Sequence, residues 1–317
     1  MPPARPTENQ FLGVLLGLAI GDALGMPVAG ASAADIAAHH GVIDRYLPRR
    51  IDDDEEIAAG EITDETETTL CIVESLTTND GLVDPANIGA RLSFLAATES
   101  RRWMSQETLD GITATADHGG LVSASDGTEV DVTALIRGVP TGLLHVFGAY
   151  DAATLRQDAT SLTRLTHGGR RQAELTAAVA MVTRMAVLDA ATPESWMRSV
   201  RDFTDDADLA RLLADDRQSG MDRGTEAESI IANSLQAAAS AARFEDAVFA
   251  MVAQGGGAAD SAGALTGALA GGRFGASGIP QGLIDGLGAR IYLSLAAPWF
   301  YRTMRRRAGT VIDLRPL

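Results

Sequence analysis

The sequence predicts an all-α protein, a compact orthogonal bundle of helices. Apolar residues recur with helical spacing in segment after segment, strand-like alternation is nearly absent, and glycine returns every four residues near both ends of the chain. With 46% hydrophobic residues in 317, the chain can bury a sizeable core.

From Gln10 to Leu24 the pattern is helical, and Gly13, Gly17, Gly21 and Gly25 leave one face nearly bare backbone. Gly263, Gly267 and Gly271 repeat that spacing in a second helix. The two stripes could pack closely, each with a carboxylate near one end, Asp22 on the first and Asp260 on the second; for the glycines alone, close-packing stripes without further role are the better explanation. Further helices are expected over Glu67–Thr77, Pro85–Thr98, Ala173–Asp189, Glu226–Ala242 and Phe244–Gln254. Short connections favour one domain over residues 10–308, with a flexible tail at 1–9 and another at 309–317. The run Ile51–Glu56 reads as a mobile loop beside the first acidic cluster, and Arg201–Gly224 as a solvated acidic excursion.

Composition excludes several chemistries. All 26 basic residues are arginine, which rules out a Schiff-base lysine and a phosphate-binding lysine of the Walker type. A net charge of −16 argues against general nucleic-acid binding. The one cysteine, Cys71, lies on an apolar stripe with Leu70, Val73 and Leu76 and reads as a packed thiol. Neither a signal-peptide pattern nor a span long enough for a membrane is read near the N-terminus, so a cytoplasmic protein without membrane contact is expected. His39, His40, His118 and His145 have no zinc spacing.

Two clusters can carry chemistry. In Thr63-Asp64-Glu65-Thr66, Thr63 is a natural N-cap and the carboxylates suit a first helical turn. The same residues offer hard oxygen ligands to Mg²⁺ or Mn²⁺. Asp260-Ser261 follows Gly255-Gly256-Gly257 and opens the second glycine-striped helix, as a cap or as the other half of an oxygen-lined site.

The order of five motifs resembles the ADP-ribosylglycohydrolase family. Gly13–Pro27 resembles its opening helix with Gly21-Asp22-Ala23-Leu24-Gly25. Thr63–Thr66 stands for Thr-Asp-Asp-Thr, and Arg137–Leu143 resembles the mid-chain substrate segment. Leu165-Thr166-His167 resembles the Thr-His element, and Gly256–Gly263 the closing Gly-Gly-Asp-x-Asp-Thr-x-Gly. The resemblance implies an all-helical fold, usually two divalent ions about 3.5–4 Å apart, and hydrolysis at ribose C1 of ADP-ribosylated or NAD-derived molecules. It assigns Asp64, Glu65 and Asp260 to catalysis and Thr63, Asp64, Glu65, Asp260 and Ser261 to metal. Asp22, Gly119, Gly120, Arg137, Thr141, His167, Gly256 and Gly257 would meet substrate, with the His167 ring stacking on ribose or adenine, or serving only as a surface or capping residue. Arg170 and Arg171 could meet a diphosphate, or simply open an exposed helix.

Departures qualify what the resemblance implies. Ala29 stands where a glutamate usually follows Asp22, Ala258 replaces the first aspartate of the closing motif, and Glu65 replaces an aspartate. Val132 and Thr133 stand where asparagine and glycine precede the arginine. A single Mg²⁺ or Mn²⁺ is therefore expected rather than two, or none. The expected partner is a small molecule containing ADP-ribose, such as an intermediate of specialised metabolism, or an ADP-ribosylated protein. A non-catalytic protein that binds ADP-ribose or a partner on the same fold is the alternative, and an acidic surface that blocks a partner is a third reading.

Overall fold

A computed structural model describes residues 6–52, 54–118, 121–123, 129–188, 192–214 and 226–309. Its helices are α1 (Glu8–Gly25), α2 (Ala33–His39), α3 (Asp64–Thr78), α4 (Pro85–Leu95), α5 (Gln106–His118), α6 (Val132–Leu135), α7 (Gly138–Leu144) and α8 (Ala152–Thr163). They continue as α9 (Arg170–Val187), α10 (Pro193–Phe203), α11 (Ala207–Ala214), α12 (Glu226–Ser240), α13 (Phe244–Val252), α14 (Ala259–Phe274), α15 (Gln281–Gly286) and α16 (Arg290–Arg307). A two-residue ribbon, β1 (Arg49–Arg50) against β2 (Glu56–Ile57), is the sheet among the described residues. The fold is all-α, as the periodicity predicts.

The bundle is organised around α1 and α14, both apolar on every side and therefore buried. They run antiparallel with their glycines interlocked. A Cβ added to Gly13 would fall 2.3 Å from the Gly271 carbonyl oxygen, one on Gly17 2.1 Å from that of Gly267, and one on Gly25 2.3 Å from that of Ala259. No side chain fits such a gap, so backbone meets backbone and the axes approach closely. Helices α3, α9, α12, α13 and α16 pack around the pair. Because the pair is antiparallel, the end of α1 that carries Asp22 meets the start of α14 that carries Asp260. The site is a direct consequence of this crossing.

Helix α1 starts at Glu8, two residues before the sequence pattern does, because Thr7 and Gln10 form a reciprocal capping box. Helix α4 stops at Leu95, and Glu99–Arg102 winds into a separate 3₁₀ turn behind the cap of Thr98. The tail residues 1–5 and 310–317, together with Gly119, Gly120, Asp53 and Asp189, lie outside the described residues.

One expectation needs correction and two gain detail. The stretch Glu8–Val28 is long and apolar enough to cross a membrane, although 89% of its apolar stretch is buried inside the fold. In the loop between β1 and β2, Asp52 Oδ1 accepts from the amides of Asp54 and Glu55 at 2.9 Å, and Glu55 pairs with Arg102. The acidic excursion is anchored where it is described, for Asp206 caps α11 through the amide of Leu209 at 2.9 Å and pairs with Arg171.

Candidate functional site

Four carboxylates converge where α1, α3 and α14 meet: Asp22, Asp64, Glu65 and Asp260. Asp22 projects from the last turn of α1 and is fully buried. It accepts from the Thr63 amide at 3.0 Å, from Thr63 Oγ1 at 2.8 Å and from Thr66 Oγ1 at 2.5 Å. Thr63 occupies the N-cap position of α3, yet its hydroxyl makes no capping bond; it is turned inward to Asp22 and Glu65. The bland explanation of Thr63 as a cap therefore does not describe this helix start.

Glu65 links the halves of the site. Its Oε1 accepts from Ser261 Oγ at 2.5 Å and from Thr133 Oγ1 at 3.3 Å, which brings in α14 and α6. Asp260 is the second residue of α14, behind Ala258 in the cap position, and its Oδ1 accepts from the Ser261 amide at 2.9 Å.

The electrostatics are those of crowded anions. Burial first, then the charge of Glu65, pushes the Asp22 carboxyl well above its ordinary range. Asp64 is raised by burial and by the charges of Glu65, Asp22 and Asp260, while it also interacts with the Arg137 guanidinium. Burial and Glu65 raise Asp260 to about 7, opposed by the Ser261 and Asp260 amides and by Arg49. Crowded carboxylates joined by hydroxyl oxygens are the donor types a hard divalent cation takes. Thr63, Asp64, Glu65, Asp260 and Ser261 supply donors of the type Mg²⁺ or Mn²⁺ takes, but no three of the carboxylates here bring ligand oxygens within 4.8 Å of one another.

Among the described residues, three carboxylate oxygens lie within 4.8 Å of one another at a different place, Asp206, Asp208 and Glu228. There the Arg171 guanidinium already supplies the positive charge, with Nε 2.9 Å from Asp206, Nη2 3.3 Å from Asp208 and Nη2 against Glu228. This corrects the reading of Arg171 as a diphosphate ligand: its donors serve three carboxylates.

A second polar chain lies behind the carboxylates. Arg137, fully buried, donates through Nη1 to Leu162 O at 3.2 Å, Thr163 O at 3.3 Å and Thr166 Oγ1 at 2.5 Å. Arginine only donates, so the Thr166 proton is directed to His167 Nδ1, 2.6 Å away. The ring then carries its proton on Nε2, facing Asp131 Oδ2 at 3.2 Å. Burial acts against ionisation of Asp131, but hydrogen bonds from His167 and Ser105, with the charges of His167 and Arg137, bring it down to about 2. Burial lowers Arg137 to about 10 against the pull of Asp131 and Asp64.

Asp22, Thr63, Asp64, Glu65, Asp260 and Ser261 are thus brought together as the motifs imply. Gly256 and Gly257 are exposed in the loop that opens α14. His167 is neither a surface nor a capping residue: it is buried, with both ring nitrogens engaged. Thr141 is buried within α7, where its hydroxyl returns to Arg137 O at 2.8 Å. Sequence reasoning missed Asp131 and Arg49, and it named Thr66 only as part of its cluster, without a role of its own. Asp131 has one local signal, as the N-cap of α6 with Oδ1 accepting from the Thr133 amide at 3.0 Å.

The fold and site define an all-α protein with a buried carboxylate centre at a close helix crossing. The chain belongs to the ADP-ribosylglycohydrolase family, whose profile it matches over residues 3–309. A solved structure described as an ADP-ribosylglycohydrolase-related protein complex superposes with a TM-score of 0.74 at 26% identity, covering 94% of this chain and 98% of the other. An uncharacterised protein of Archaeoglobus fulgidus is 29% identical over 94% of this chain and 98% of its own. The uncharacterised protein YegU of Escherichia coli is 29% identical over 59% of this chain and 56% of its own.

Proposed function

We propose that the chain is a hydrolase of the glycosidic bond at ribose C1 in an ADP-ribosylated or NAD-derived substrate, working with a reduced, single-ion centre. The observation that carries this reading is the convergence of buried Asp22, Asp64 and Glu65 with half-buried Asp260, whose crowding raises the Asp22, Asp64 and Asp260 carboxyls. Such a set is unfavourable in a purely structural core and suits a site that meets positive charge.

Thr63, Asp64, Glu65, Asp260 and Ser261 would hold one Mg²⁺ or Mn²⁺. When bound, the ion would act as a Lewis acid toward the ribose hydroxyls. Glu65 and Asp64 place negative charge beside the sugar, where an oxocarbenium-like transition state develops positive charge. Asp260 Oδ1 is engaged by the Ser261 amide, which leaves Oδ2 to take a proton from the attacking water. Asp22 orients Thr63 and Thr66 and fixes the start of α3. The solvent-exposed Gly256 and Gly257 allow a ligand backbone-close access at the start of α14.

Calorimetric titration of metal-stripped protein with Mg²⁺, Mn²⁺ and ADP-ribose, beside an Asp64→Ala, Asp260→Ala chain, tests the reading. Metal-dependent ADP-ribose binding lost in that variant, with turnover of an ADP-ribosyl substrate, is expected. Nucleotide binding indifferent to metal and to both substitutions would leave a binding protein on an inherited fold, the reading that Ala29 and Ala258 favour.

A further inference from the structure

Helix α16 carries two apolar faces. Leu293, Ala297, Phe300 and Met304 are buried, and with them the helix packs on α1 and α3. The other face is the row Ile291, Leu295 and Trp299, at i, i+4 and i+8, with Tyr292 beside it. These side chains are 66%, 63%, 62% and 46% exposed, so four of the nine large apolar side chains exposed among the described residues stand within nine positions of one helix. Single exposed apolar residues are ordinary, whereas a continuous row of them marks a contact surface.

The two ends of the row differ in charge. Beyond Trp299 comes Arg302, its guanidinium carbon 5.7 Å from the centroid of the Trp299 ring, and then Arg305, Arg306 and Arg307. Glu8, 3.8 Å from Arg302, and Asp80, against Arg306, offset two of these four charges, and both pairs are open to solvent. Before Ile291 stand Asp285 and Glu61, both exposed. The Glu61 carboxylate reaches Gly288, three residues ahead of Ile291, where a Cβ would lie 3.7 Å from either oxygen. Arg290 offsets one of the two, with its guanidinium turned back to Leu287 O at 3.2 Å. The row is therefore basic at one end and acidic at the other.

We propose that this face docks a second copy of the chain, with the two α16 helices antiparallel about a two-fold axis. Such an axis sets Leu295 on Leu295 of the second copy and Ile291 against its Trp299. Leu295 stands midway between Gly288 and Arg302, so the register that joins the leucines also brings each Arg302 level with Gly288 and Glu61 of the other copy. A parallel pairing would instead stack arginine on arginine. A net charge of −16 acts against an anionic lipid surface as the occupant, while a second copy supplies both the apolar row and the opposite charge at each end. The four side chains expose on the order of 500 Å² per copy, which places the pair at the lower edge of specific interfaces and makes the dimer weak.

Sedimentation velocity of the full chain over about 1–200 μM tests this. The chains compared are wild type, Leu295→Glu, Glu61→Arg, Arg302→Glu, and the last two combined; thermal melting verifies that each is folded. Wild type is expected to pass from monomer to dimer with a Kd of about 10–100 μM. Leu295→Glu sets like charges against each other on the axis and should stay monomeric. Each single charge reversal should weaken association about tenfold, and the combined exchange should restore most of it, because it re-forms opposite charges at both ends. A wild-type monomer at every concentration, or a dimer that survives Leu295→Glu, overturns the proposal. A combined exchange no better than the single reversals overturns the antiparallel register. Flotation with vesicles of phosphatidylcholine and phosphatidylserine is run beside it: a wild-type monomer that floats with them while Leu295→Glu does not would make lipid the occupant and overturn the second copy.

Discussion

Gly21 and Gly263 meet backbone to backbone at the crossing of α1 and α14, where a Cβ on Gly21 would lie 1.9 Å from the Gly263 carbonyl oxygen and one on Gly263 2.2 Å from that of Gly21. Each glycine sits beside the chemistry, Gly21 next to Asp22 and Gly263 two residues after Ser261. The contact that closes the core therefore also sets the spacing of the carboxylates.

Gly21→Ala forces the helices apart, since the obstacle is main chain with no rotamer to yield. Destabilisation of about 3 kcal/mol or more is expected, at the upper end of overpacking effects. Gly272→Ala is the control: its nearest neighbours are side-chain methyls at 3.1 Å or more, which can shift. Denaturant unfolding of both chains checks this, and equal losses would contradict it.

The metal-free protein should lose stability as pH rises from about 4 to about 7. Asp260 goes from an ordinary value of 3.8 to about 7, so in that window the folded chain holds a proton that the unfolded chain has released. Stability falls wherever the folded state binds more protons. Asp260 alone contributes at most about 4 kcal/mol to this slope, and Asp22 and Asp64 act in the same direction. Melting temperatures across that range should fall in wild type and fall less steeply in Asp260→Asn; a profile rising toward pH 7 in both chains would contradict this.

Much of this was legible in residue spacing. The glycine stripes declare a close crossing because a bare face every four residues has few other uses, and the acidic residues at their ends then fall together. The Asp131–His167 pair was not legible: its partners are 36 residues apart, and α6 is a single turn with too little periodicity to read. Arg49 was hidden for a similar reason, since β1 and β2 have two residues each and no alternation to detect. Arg137 stands in a recognisable segment, but only tertiary packing reveals that its guanidinium serves the backbone of residues 162 and 163.

Asp22→Asn should separate stability from ligand binding. The amide keeps an acceptor for the Thr63 N–H and removes the charge that burial and Glu65 oppose. The metal-free chain is then expected to gain about 1–2 kcal/mol. Its Mn²⁺ affinity should fall by about tenfold, because one of four site charges is lost. Calorimetry with and without Mn²⁺ reads both quantities, and a variant that loses stability without metal would contradict the picture of uncompensated repulsion.

Asp131 acts in the opposite direction to the site carboxylates. Its value of about 2 lies below the ordinary 3.8, so it favours the fold above about pH 4 and loses that contribution as pH falls toward 2. Asp131→Asn keeps the cap of α6 but leaves His167 Nε2 with only the more distant and exposed Glu107, at 3.7 Å, as an anionic neighbour. A loss of about 1–3 kcal/mol at pH 7 is expected, shrinking toward acid. Urea unfolding at pH 7 and pH 3 measures the difference, and an equal loss at both would exclude a charge effect.

Arg171→Met distinguishes a structural guanidinium from a substrate ligand. Glu228 is fully buried, its Oε2 has no hydrogen-bond partner among the described residues, and burial raises its carboxyl against the pull of Arg171. Removing Arg171 leaves that carboxylate beside Asp206 and Asp208 with its named counter-charge gone. Breaking a buried pair in this way costs about 3–5 kcal/mol, whereas neutralising both partners costs much less. Arg171→Met with Glu228→Gln should therefore recover most of the stability lost in Arg171→Met. Denaturant titration of the two chains, with ADP-ribose affinity measured under conditions where both are folded, completes the test: recovered stability with unchanged affinity places Arg171 in the framework, and intact stability with weakened affinity would return it to the diphosphate.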